Sequence, residues 1–103
     1  MPLHARSSGE QLYVRRLPSG GYVAIEATTV QPLFAEKKIR GHVLVERRPD
    51  ERRVGHIPPI AACSEGSDIR AIFAALLPIA ESDQAIAEAF ARGITIPVAP
   101  RRS

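Results

Sequence analysis

The feature that most limits what this chain can fold into is a change of hydrophobic period partway along it. Up to Ile57 the apolar residues come in short β-branched runs separated by turn residues. From Ile69 onward they recur at helical spacing. A chain that spends its strands first and its helices second cannot build the alternating units of a parallel sheet, so its elements segregate into a sheet and a helical layer.

The first run, Gln11–Leu17, is followed by Pro18-Ser19-Gly20-Gly21 and then by Tyr22–Val30. Proline presets φ and glycine permits positive φ, so this is a hairpin. Val23, Ile25 and Ala27 share one face of its second strand, and Tyr22, Ala24 and Glu26 share the other. Pro32 ends the ladder, and Leu33–Lys38 reads as loop or a single helical turn. Ile39–Arg48 is a third strand and Arg53–Ile57 a fourth, joined by the polar turn 49–52 and closed by Pro58-Pro59. The spacing of Ile69, Ile72, Phe73, Leu76 and Leu77 predicts a first helix docked by that stripe, capped at Ser67 and stopped or kinked at Pro78. A second helix is expected from Ser82 to Gly93, through Ile86, Ala89 and Phe90. Cys63–Ser67 reads as the connecting loop. Ile94–Val98 reads as a short edge strand or a packed tail.

The expectation is therefore an α+β domain: an antiparallel sheet of about four strands, made of two hairpins, followed by two C-terminal helices packed on one face. A single domain spans 10–98, with 1–9 and 99–103 as loose termini. The 103 residues suffice for one modest core, and an apolar share of 45% with a net charge of +3 argues against wholesale disorder. One cysteine cannot staple a fold, no apolar run approaches the length of a membrane span, and the first nine residues lack a secretory apolar segment. These features point to the cytoplasm, with no membrane partner.

Charge is unevenly divided. Residues 10–57 hold nine bases against six acids, whereas 64–91 hold five acids against Arg70 alone. A basic sheet suits a polyanion, and Arg15, Arg16, Lys37, Lys38, Arg40, Arg47 and Arg48 are the candidate contacts for weak, non-specific nucleic-acid binding. A dedicated nucleic-acid face usually adds stacking aromatics, and only Tyr13 and Tyr22, flanking one turn, are on hand. Helix Ala85–Arg92 is followed by too few residues, with Pro97 and Pro100 among them, for a recognition helix.

The soft metal ligands are His4, His42, His56 and Cys63, without the compact spacing zinc requires, so no metal site and no cofactor is expected. No nucleophile–base–acid set stands out, so no catalytic residue is assigned. The sequence favours a non-catalytic protein-interaction or accessory module that works through an open sheet face or a sheet edge, with self-association into a homodimer as one mode. Nucleic-acid binding through the basic hairpins is the alternative. A small enzyme or ligand-binding domain around Cys63, His42 and His56 is the third.

Overall fold

The computed structural model describes residues 9–31, 33–47 and 58–101. They form an open sheet followed by two helices, the expected α+β arrangement. The strands are β1 (Glu10–Arg16), β2 (Tyr22–Val30), β3 (Lys38–Glu46), β4 (Ile60–Gly66) and β5 (Ile96–Pro97), in that spatial order. β1 to β4 pair antiparallel, and β5 pairs parallel to β4. Helices α1 (Ile69–Ala80) and α2 (Asp83–Arg92) lie between β4 and β5 in the chain.

The β1–β2 turn is built as its sequence demands. Leu17 N–H donates to the Gly21 carbonyl at 2.8 Å and Gly20 N–H to the Leu17 carbonyl at 3.0 Å, with Gly20 at φ 95°. This is the three-residue loop closed by a left-handed residue, and glycine fills that position without strain. Gly21 is needed for another reason: a Cβ there would lie 1.8 Å from the Glu46 carbonyl oxygen.

The expected strand at 53–57 lies outside the described residues. Cys63–Ser67, expected as a connecting loop, instead belongs for the most part to β4, Ile60–Gly66. Its residues are small and weak in β-propensity, which hides them in the sequence. Smallness is what the position requires, because Ala61 and Ala62 are wholly buried beneath the helices. The ambiguous tail resolves as β5, extended by Val98 N–H donating to the Cys63 carbonyl at 2.8 Å and Arg101 N–H to the Ala71 carbonyl at 2.9 Å.

Helix α1 is capped by Asp68, not Ser67: the Asp68 side chain accepts from Arg70 N–H at 3.0 Å. The helix also runs through Pro78 to Ala80. So near the C-terminus proline forfeits one backbone bond while Ala80, fully buried, still packs. Helix α2 begins at Ser82, whose hydroxyl accepts from Ala85 N–H, and ends at left-handed Gly93.

The docking stripe of α1 is rotated from the expected one. Ile72 and Leu76 are fully buried beside Ala71, Ala75 and Ala80, whereas Ile69 and Phe73 are only half-buried. The centre of contact is Gly41 on β3, where a Cβ would come within 2.6 Å of Ile72 Cγ2 and 2.9 Å of Leu76 Cδ1. The core is therefore Val23, Ile25, Val43, Val45, Ala61 and Ala62 from the sheet, closed by Ile72, Leu76, Ile86 and Ala89.

This packing predicts an ordering of stabilities. Leu76→Ala should cost about 2–5 kcal/mol, as for other fully buried leucines, and Phe73→Ala clearly less. Denaturant titrations in which Phe73→Ala proves the more damaging would place the docking face one residue round the helix.

Candidate interaction surface

Residues paired directly across an antiparallel ladder share a face, so the strand register sorts the sheet's side chains. Ala27, Gly41 and Ser64 stand together on the helix side, as do Tyr13, Ile25, Val43 and Ala62. The opposite face carries five rows. Arg16–Tyr22–Glu46 lies at one end, followed by Val14–Ala24–Leu44–Ile60, Gln11–Glu26–His42–Cys63 and Thr28–Arg40–Glu65, with Val30–Lys38 at the other end. This face is not a bare apolar sheet. Ala24 and Glu46 are buried, and Tyr22, Glu26, His42 and Leu44 are half-buried.

The candidate polyanion contacts divide between the two ends of the sheet, with Lys37, Lys38 and Arg40 at one and Arg15, Arg16 and Arg47 at the other. Arg15 points to the helix side, where its Nη2 pairs with Asp83 Oδ1 and its Nε donates to the Ala80 carbonyl at 2.9 Å. It bolts β1 to the junction of the helices. Arg40 pairs with Glu65, its neighbour across β3 and β4. The Arg47 guanidinium sits 4.5 Å over the Phe90 ring. Arg16 is exposed on the face away from the helices, and Lys37 and Lys38 are exposed at the other end of the sheet. At ~3.3 Å per residue, the length of β3 separates Lys38 from the Arg16 row by about 25 Å. Arg48 lies outside the described residues. Tyr13 and Tyr22 are on opposite faces and form no joint stacking platform.

His42 and Cys63 are direct cross-strand partners, with Glu26 on the other side of His42. His56 and His4 lie outside the described residues. Burial holds the His42 imidazole below its ordinary value, helped by the Arg40 charge and opposed by Glu26 and Glu65. Glu65 is held below the usual carboxylate value by its hydrogen bond to Arg40. No cluster of three metal-ligating side chains occurs among the described residues. Nor is any helix there long and apolar enough to cross a membrane.

The two edges of the sheet are treated very differently. Beyond β4 the edge is taken up by the two-residue β5, with Pro97 in it, and by the tail that folds back on α1. Beyond β1 no strand follows among the described residues. Because Leu17 donates to Gly21, the alternation of the ladder turns the backbone groups of Arg15 and Tyr13 toward β2 and those of Val14 and Arg16 outward. Val14, mid-strand, is 52% exposed.

A hollow flanks this edge on each face. On the helix side, one of about 400 Å³ is lined by Leu12, Ile69 and Phe73 with Glu10 and Arg70. On the other face, one of about 470 Å³ is lined by Gln11, Val14, Arg16 and Tyr22, with Arg15, Gly20 and Gly21. Sequence reasoning missed the first because Ile69 and Phe73 were assigned to the core. A further exposed feature is the β2–β3 loop, where Leu33 is 83% and Phe34 97% exposed. Comparison with family models, with curated proteins and with solved structures found no match.

The His42 environment predicts a pH dependence. Burial makes the imidazolium costlier in the folded chain, so the unfolded chain takes up the proton first as pH falls through 6.5. Stability is complete above that value and declines below it. Glu65 adds a loss of the same sign only below pH 4.5. His42→Gln should flatten the decline that sets in near pH 6.5 in a series of denaturation midpoints, and an unchanged profile would contradict this assignment.

Proposed function

We propose that this domain is a non-catalytic protein-interaction module that captures an extended segment of a partner by adding it to the β1 edge. The observation that carries this reading is the outer side of β1, seven residues long, to which no strand pairs among the described residues, in a sheet whose other edge is closed by its own tail. An added strand gains main-chain hydrogen bonds from Val14 and Arg16 whatever its sequence, and gains selectivity from alternate side chains. The two hollows stand on opposite faces of β1, where such alternating side chains would fall. An uncovered edge otherwise invites uncontrolled pairing, and Arg16 on β1 is the charge that limits it.

Selection of a displayed random-decapeptide library on the intact protein tests this. Val14→Pro removes an outward N–H without touching the bonds to β2, so the fold should survive with an unchanged melting curve. The wild type should enrich binders that the proline variant does not retain. Equal retention by both would end the proposal.

Self-association is a second reading, favoured by Leu33 and Phe34. Two adjacent large apolar side chains almost wholly in solvent are a feature that interfaces bury. Sedimentation velocity should show a concentration-dependent dimer that Phe34→Ser dissociates. A wild type that stays monomeric at millimolar concentration would remove this reading and leave strand addition untouched.

A further inference from the structure

The two hollows beside β1 differ in chemistry, and that difference specifies the partner. The helix-side hollow is lined by the apolar side chains of Leu12, Ile69 and Phe73 and by one charge of each sign, Glu10 and Arg70. Among the described residues the hollow on the other face has no carboxylate in its lining, and Arg16, which lines it, has no acidic partner. Arg15 borders it as well, but its guanidinium is committed to Asp83 and the Ala80 carbonyl. Among the described residues the uncommitted cation beside this edge is therefore Arg16, with the Gln11 amide on the same face.

We infer that the segment captured at β1 carries a large apolar residue for the helix-side hollow and an Asp or Glu for the Arg16 hollow, at an odd spacing from each other. The inference rests on strand addition at β1. The odd spacing follows from the pleat: in a regular strand, residues an even number apart point to the same face and residues an odd number apart to opposite faces. It holds whichever direction the segment runs. It also holds despite the register shift within β1 between Gln11 and Tyr13, because the alternation belongs to the incoming strand. A second copy of β1 is a poor occupant of the Arg16 hollow, since on that face it carries Gln11, Val14 and Arg16 and no carboxylate, and would set one Arg16 near another.

Charge reversal at Arg16 is the test. Arg16 is exposed on the edge strand, so Arg16→Glu should keep the wild-type melting curve. Decapeptide selections run in parallel on wild type, Arg16→Glu and Val14→Pro give the readout. The wild type should enrich an apolar residue and an acidic residue at odd spacing. Arg16→Glu should enrich Lys or Arg in place of the acid with the apolar residue retained, and should bind a wild-type-selected acidic peptide about tenfold more weakly, ~1.4 kcal/mol. An acidic preference that persists on Arg16→Glu, or an even spacing, overturns the inference. Binders lost on Val14→Pro but lacking the motif overturn it too, and leave strand addition standing. If no binder is lost on Val14→Pro, strand addition itself fails.

Discussion

The contact between α1 and the middle of the sheet governs the rest of the structure. Ile72 and Leu76 press onto β3 where Gly41 offers no side chain, and a single methyl group there would meet them inside 3.0 Å. Such closeness requires small neighbours, and the sheet supplies them: Ala27 on β2 and Ala62 and Ser64 on β4. A helix seated this deep removes two of its large aliphatic side chains, Ile72 and Leu76, completely from water. Each such side chain is worth about 1.5–3 kcal/mol, a large share of the margin by which a domain of this size is stable.

Seating the helix over β3 and β4 also decides what remains outside. The chain leaves α2 beside β4 and returns along that strand, so the tail closes the β4 edge. Nothing comparable reaches β1 from the described residues. Instead the helix flank, Ile69 and Phe73, overhangs β1 without covering its outer side, and Arg15 ties the strand to the helix junction. The apolar hollow and the free edge are thus by-products of one packing decision. A rigid strand fixed at one side and open at the other is a suitable template for an incoming chain.

Much of this was legible in the residues. The first hairpin follows from Pro18-Ser19-Gly20-Gly21 between two β-branched runs, and the second helix from Ser82 and Gly93 at its ends. β4 was not legible, because Ala61, Ala62, Cys63 and Ser64 carry little strand signal and owe their conformation to burial between β3 and the tail. The face of α1 was only partly legible. In Ile69–Ala80 Arg70 is the one charged residue, so several stripes look equally apolar, and Gly41, distant in sequence, selects among them. The basic residues illustrate the limit for function: a run of arginines in sequence gives no hint that Arg15, Arg40 and Arg47 are each engaged within the fold. The free edge at β1 emerges only once the order of strands is known.

Strand addition requires that a few backbone groups in β1 point outward and remain available. Amide hydrogen exchange followed residue by residue measures them directly. In the free protein the amides of Tyr13 and Arg15, bonded to β2, should exchange slowly and those of Val14 and Arg16 rapidly. A bound extended peptide should slow Val14 and Arg16 while leaving the other two as they were. Slow exchange at Val14 and Arg16 in the free monomer, or protection by peptide that spares β1 and appears elsewhere on the sheet, would contradict it.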